Sequence, residues 1–288
     1  MSDFSTLAGN ATKITARGFG WTHAGRKQPA LADLDLVIEP GERVLLCGDS
    51  GSGKSTLLAA MAGVLGSDEE GTRTGEILLE DSTGMVEEPG RSIPVGLVLQ
   101  DPDSQVISAR VGDDIAFGCE NLAYPREEIW RRVAAAKDLV GPFVPLDFPT
   151  ERLSGGQKQR LALAGVIAMG AGVVLLDEPT ANLDPDGARD VVRAVSALVE
   201  ETGATLVVVE HQHAAWKGVL ERAVELDHGR IVSDGPFAEV AQRRQVEGLP
   251  QARRLGEAEL AGRRAALWST DLVTRYGPPR TISLPAGS

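Results

Sequence analysis

The residues best placed to do chemistry lie in one stretch, Gly48-Asp49-Ser50-Gly51-Ser52-Gly53-Lys54-Ser55-Thr56. It fits G-x-x-x-x-G-K-[ST] in full. It also follows the apolar run Val44-Leu45-Leu46-Cys47 and precedes the helix-compatible Leu57-Leu58-Ala59-Ala60-Met61-Ala62, the context in which this spacing makes a phosphate-binding loop. Glycines at 48, 51 and 53 let the backbone wrap with its N–H groups inward, and a helix starting near Lys54 adds the positive end of its dipole. Lys54 is expected to reach the β- and γ-phosphates of a nucleotide, and the Ser55 hydroxyl to take one position on Mg²⁺.

Carboxylates and amides elsewhere fit the same chemistry. Val173-Val174-Leu175-Leu176 delivers Asp177 and Glu178 to the end of a buried strand. Asp177 can hold Mg²⁺, and Glu178 can orient or deprotonate a water that attacks the γ-phosphate. Gln100 follows the apolar run Val95 to Leu99; at the carboxyl end of a parallel strand it faces the ligand crevice, a candidate for the metal or the water. Ser154-Gly155-Gly156-Gln157 precedes a helical run from Lys158 to Met169. It is either a second anion site at a helix N-terminus or simply a cap. His211 follows the strand Thr205 to Val209 and either contacts the γ-phosphate or is an ordinary satisfied polar residue. Phe19 or Trp21, ahead of the phosphate loop, either stacks on an adenine ring or plugs a sheet.

These positions require an alternation of strands and helices. Lys13 to Ala16 and Leu34 to Ile38 read as β runs around the turn-rich segment 23–27, and Arg43 to Cys47 as the strand entering the loop. Gly75 to Glu80, Val95 to Leu99, Val173 to Leu176 and Thr205 to Val209 read as further strands, and Leu226 to Val232 as a closing hairpin. Residues 103–153 change character, with helical periodicity from Glu127 to Leu139 and proline punctuation after it. They are expected to form a helical insertion. A helix from about Gly187 to Thr202 follows Asp184-Pro185.

At 288 residues the chain can bury a full core. Its 41 acidic and 29 basic residues leave a net charge of −12, which disfavours nucleic acid as a partner, and no basic patch precedes the arginine pairs near the end. Cys47 and Cys119 give no disulfide framework and suggest a reducing compartment, with Cys47 a small buried apolar residue. The N-terminus lacks the pattern of a signal peptide. The uncharged run from Leu161 to Leu176 is too short to span a bilayer, so the protein is expected to be soluble by itself.

With the phosphate loop, Gln100, Leu153 to Gln157, Asp177-Glu178, Asp184 and His211 in that order, the chain resembles an ABC transporter nucleotide-binding subunit over roughly residues 13–236. The resemblance implies an α/β P-loop NTPase core, a parallel sheet flanked by helices, with an antiparallel β subdomain and an inserted helical subdomain at about 103–157. It implies ATP hydrolysis with Mg²⁺, Ser154 and Gly156 acting on ATP held by an opposite cassette, and Trp21 in the place of the adenine-stacking aromatic. Gln100 would link nucleotide to membrane partner, Asp184 would lie at the dimer seam and His211 would be the switch histidine. Gln100-Asp101-Pro102-Asp103-Ser104-Gln105, with Val111 to Gly118 and Glu120-Asn121-Leu122, looks like the energy-coupling-factor group of importers and its cobalt/nickel relatives. Such ATPases sit on the cytoplasmic face of the membrane and drive uptake of vitamins or transition-metal ions with an integral coupling protein and a substrate-capture protein. Two departures stand out: Asp101 where the group commonly has Asn, and Gln212-His213 where it commonly has Asp after the switch histidine. The alternative is a soluble ABC ATPase of translation or DNA maintenance, which would typically carry a basic linker or long coiled coil.

Residues 237–288 form a C-terminal extension. It opens with a charged segment, Ala238 to Arg264, expected to be helical. Ala266 to Gly277 and Ile282 to Ser288 then resemble the opening Ile14 to Trp21 and Leu36 to Glu42. The tail is either the start of a second, truncated cassette or an ordinary extension.

Overall fold

The computed structural model describes residues 11–66, 70–141, 144–181, 183–211, 213–247, 268–272 and 280–283. In chain order the first half contains β1 (Lys13–His23), β2 (Leu31–Ile38), β3 (Arg43–Gly48), α1 (Lys54–Ala62), β4 (Gly71–Glu80), β5 (Val86–Glu87) and β6 (Val95–Val98). Then come α2 (Val111–Asn121), α3 (Arg126–Leu139), α4 (Gly155–Met169), β7 (Val173–Asp177), α5 (Pro185–Thr202), β8 (Thr205–Val209), β9 (Arg222–Asp227), β10 (Arg230–Pro236) and α6 (Phe237–Glu247).

The chain divides into a unit ending at Ala241 and a second starting at Gln242. In the first, six strands in the order β10-β9-β3-β8-β7-β6 make the central sheet. Its pairings are parallel from β9 through β6, and only β10 runs antiparallel. A second sheet, β2-β1-β4-β5, is antiparallel throughout.

The central strands are continuous apolar runs because both faces of the sheet are covered. Leu45, Cys47, Val174, Leu176, Leu206 and Val208 face one core with buried residues of α2, α3, α4 and α5. Their neighbours Val44, Leu46, Val173, Leu175, Val207 and Val209 face the other, with Leu57, Leu58 and Met61 of α1 and the inner side of the antiparallel sheet. The alternation is the period-two geometry of a strand. At Gly96 the sheet and α4 approach so closely that a Cβ would lie 2.2 Å from a Val166 methyl.

Helix ends are fixed locally. Asp184 caps α5, its Oδ1 accepting from the Gly187 N–H at 2.8 Å; Pro185 opens the helix, and Gly203 closes it at φ 69°. The apolar stripe Val191, Ala194, Val195, Leu198 and Val199 keeps one face buried.

The structure extends the sequence expectations at several elements. The opening β runs are longer, and α2 falls within the helical insertion expected at 103–153 but outside its one delimited helical run, 127–139. Two glycines, Gly112 and Gly118, interrupt its helical propensity, and burial of Val111, Ile115, Ala116 and Cys119 supplies the missing stabilisation. Cys47 and Cys119 are both buried free thiols, and desolvation pushes the Cys119 thiol up to about 11.

In the second unit the described residues form β11 (Trp268–Leu272) and β12 (Arg280–Ser283), paired antiparallel with Trp268 opposite Ser283. The helix expected to Arg264 is described only as α6, to Glu247; residues 248–267, with Arg253-Arg254 and Arg263-Arg264, lie outside the described residues.

Candidate functional site

The sheet topology brings the glycine-rich loop to the centre of its carboxyl edge, because β3 lies between β9 and β8. Gly48, Gly51 and Gly53 all have positive φ, at 144°, 81° and 108°. A Cβ on Gly48 would sit 2.2 Å from the Leu226 carbonyl oxygen, so only glycine fits there. Lys54 is buried, and its Nζ donates to the carbonyls of Gly48 and Asp49, both at 2.9 Å. Gly53 precedes α1 without any side-chain cap, which leaves the first-turn N–H groups for an anion. Asp49, Ser50 and Ser55 are exposed at the rim.

Asp177, at the end of β7, lies close enough to this loop for Ser55 and Lys54 to act on its carboxylate. Burial raises the Asp177 pKa, and the charge of Glu178 adds to the rise, while Ser55, Lys54 and His211 pull it back down. A partly desolvated carboxylate beside a hydroxyl is an oxygen donor set suited to a hard divalent cation. Among the described residues no cluster of three or more His, Cys, Asp or Glu could hold a metal. A carboxylate and a hydroxyl are donors that suit an ion held mostly by phosphate and water, as Mg²⁺ is.

Glu178 has a left-handed backbone, φ 48°, fixed by its N–H bond to the Val209 carbonyl at 2.9 Å. Its Oε1 lies 3.1 Å from His211 Nε2. Sequence reasoning passed over Glu210, which is 4% exposed. Its carboxylate accepts from the Thr180 hydroxyl and, at 2.8 Å, from the His211 N–H, so it bridges the loops that carry Glu178 and His211. The signal was an acidic residue ending a wholly apolar strand.

Ser154 is the N-cap of α4 in a reciprocal capping box: its Oγ accepts from Gln157 N–H at 3.3 Å, and its own N–H donates to Gln157 Oε1 at 2.9 Å. Gly155 and Gly156 share a cavity of about 340 Å³ with Leu183 and Asp184. The phosphate-loop cavity, about 700 Å³, has no lining residue in common with it. Gln100 is exposed, just beyond β6 and next to β7 in the sheet. Thus Lys54, Ser55, Asp177, Glu178 and His211 come together, and Ser154 to Gln157 form a separate surface.

Trp21 corrects an expectation. It is 4% exposed and packs in the core between the antiparallel sheet and α1. Its ring lines a different cavity, of about 440 Å³, with Phe19, Arg73 and Pro89. The phosphate-loop cavity is lined instead by His23, Arg26, Lys27 and Gln28. The Trp21 indole N–H donates to His23 Nδ1 at 3.1 Å. β1 continues past Trp21 to His23, its last residue, and it is His23 that lines the phosphate-loop cavity.

The ABC transporter family profile matches residues 31–181. The energy-coupling factor transporter ATP-binding protein EcfA1 of Caldanaerobacter subterraneus is 38% identical over 221 residues, 77% of this chain and 78% of that protein. A Methanosarcina acetivorans protein named "Putative ABC transporter ATP-binding protein" is 39% identical over 226 residues, and the aligned region spans 78% of this chain but only 35% of that longer protein. Among solved structures, cbiO1 from Clostridium perfringens, part of the ABC transporter complex cbiONQ, is 30% identical with a TM-score of 0.68, covering 88% of this chain and 99% of that one.

Proposed function

This chain belongs to the ABC transporter ATP-binding family and is an ATPase cassette, and from that premise we propose that it drives an importer of the energy-coupling-factor type. The reading is supported by the likeness to EcfA1 and cbiO1 over most of the chain. The observation that carries the hydrolytic assignment is the Glu178–His211 contact at 3.1 Å, beside Asp177.

In the proposed cycle the loop N–H groups and Lys54 hold the ATP phosphates, with Lys54 leaving its parked position on Gly48 and Asp49. Ser55, Asp177 and Gln100 would hold Mg²⁺, which neutralises charge on the β- and γ-phosphates when bound. Glu178 takes a proton from the attacking water; the new P–O bond forms as the bond to the β-phosphate oxygen breaks, and ADP leaves. His211 orients Glu178 and the γ-phosphate. His23, oriented by Trp21, takes the place beside the base that the sequence suggested for Trp21.

A second cassette supplies the rest. Ser154, Gly155, Gly156 and Gln157 lie in a cavity separate from the phosphate loop, so in this reading they meet ATP held by the opposite cassette of a homodimer, a heterodimer or a fused pair. Antiparallel pairing of β11 with β12, like that of β1 with β2, supports residues 268–272 and 280–283 as belonging to the opening of a repeat. Among the described residues no helix is long and apolar enough to cross a membrane; in this reading an integral coupling protein and a substrate-capture protein complete the transporter, with this chain peripheral on the cytoplasmic face. The cargo class would be a vitamin or a transition-metal ion.

Glu178→Gln tests the assignment. ATP affinity is expected to stay within about twofold of wild type while turnover falls at least ~100-fold, measured by nucleotide binding and phosphate release. Persistent hydrolysis would remove Glu178 as the base.

A further inference from the structure

The turn that carries Gln100 is held by side-chain amides that the hydrolytic scheme leaves unused. Gln105 grips both polar groups of one residue: its Oε1 accepts from the Leu99 N–H at 2.9 Å, and its Nε2 donates to the Leu99 carbonyl at 3.0 Å. The same Nε2 lies 3.3 Å from the Asp101 carbonyl. Asp101 Oδ1 accepts from the Asp103 N–H at 3.0 Å, a bond that Asn would make equally well, which accounts for tolerance of Asp at this position. The turn is thereby closed on itself.

A second amide reaches the same peptide from another element. Gln159, on α4 and 2% exposed, donates from Nε2 to the Leu99 carbonyl at 3.2 Å. Its Oε1 is buried and has no hydrogen-bond partner. An apolar side chain of that size would fill the space without an unpaired acceptor, so the amide is explained by what it donates to. One residue earlier, Lys158 forms an ion pair with Asp103. Two successive α4 residues therefore hold the turn, and α4 begins at the Ser154 cap.

We infer that Gln105 and Gln159 are positioning residues that make the turn from Leu99 to Gln105 one body with α4, so that displacement of Gln100 at one nucleotide moves the Ser154–Gln157 surface that meets the other. The inference rests on the two-cassette reading above. Its chemistry is mechanical: the clasp acts through the peptide that precedes Gln100.

The test is steady-state ATP hydrolysis by the full chain carrying Gln105→Ala, Gln159→Leu or both, with Gln159→Met as a second space-filling variant should Gln159→Leu fold poorly. The expected result is a kcat about tenfold lower with KM within about twofold, and a Hill coefficient for ATP that falls toward one. The double variant is expected to be no slower than the worse single, because both amides hold one peptide. Amide hydrogen exchange at Leu99 should rise in Gln105→Ala while exchange across β3 stays unchanged. Wild-type kcat and cooperativity in the variants, or losses that add and track a general fall in melting temperature, would overturn the clasp. Glu178→Gln run in parallel separates the two readings: if it still hydrolyses ATP, the hydrolytic assignment fails, whereas wild-type-like clasp variants beside an inactive Glu178→Gln sink the clasp alone. A wild-type chain without ATP turnover would overturn both.

Discussion

Asp177 holds a carboxylate partly out of water beside a second one. Burial and the neighbouring Glu178 raise its pKa above the unfolded value. A raised carboxyl pKa favours the folded state most below the unfolded pKa, and that contribution is lost as pH rises through the folded pKa. At neutral pH the ionised Asp177 is therefore a cost. Asp177→Asn is expected to melt higher than the wild-type, nucleotide-free chain at pH 7, with the gap closing toward pH 4, while Mg²⁺-dependent turnover is lost; thermal unfolding across pH and phosphate release check both parts. A variant that melted lower at every pH would contradict the sign. His23 is the other residue-scale prediction. An aromatic stack is worth about 1 kcal/mol, so His23→Ala should weaken ATP binding about fivefold, read by nucleotide titration. Trp21→Phe keeps the core filled but removes the indole N–H that orients His23, and a smaller weakening is expected.

Elements decide how far such residues can be displaced. The Ser154 capping box does two jobs, satisfying the first turn of α4 and presenting the Gly155 and Gly156 N–H groups. Ser154→Ala removes the side-chain acceptor and should lower unfolding stability by about 1 kcal/mol, measured by urea denaturation. If the two-cassette reading holds, the same change also slows ATP turnover in proportion greater than this stability loss explains. Glu210 makes a comparable point for the opposite edge of the sheet, since one buried carboxylate fixes both the Thr180 loop and the His211 backbone. The left-handed φ of Glu178 is held open by the same neighbourhood.

At the scale of the whole molecule, the phosphate-loop cavity and the Ser154 surface are physically separate within one cassette. A composite site therefore needs association, and specific ATPase activity is expected to rise with protein concentration at fixed ATP until the pairs saturate. Activity per chain that stays flat from nanomolar to micromolar concentration would argue against the sandwich, unless size measurements showed pairs already formed throughout.

The sequence by itself determined the phosphate loop, the Asp177-Glu178 pair, the strand runs of the central sheet and the α5 boundaries. Those depend on local rules, namely fixed spacing, period-two burial, and Asp-Pro and glycine at helix ends, which leave a mark within a few residues. Tertiary structure alone decided which ring faces the loop, because Trp21 and His23 differ only in how β1 runs on before it turns over the cavity. It alone made α2 a helix, through burial against α4 rather than through propensity. And it alone joined Leu99 to Gln159, 60 residues apart, since a hydrogen bond between distant segments has no signature in the order of residues, only in the packing that brings them together.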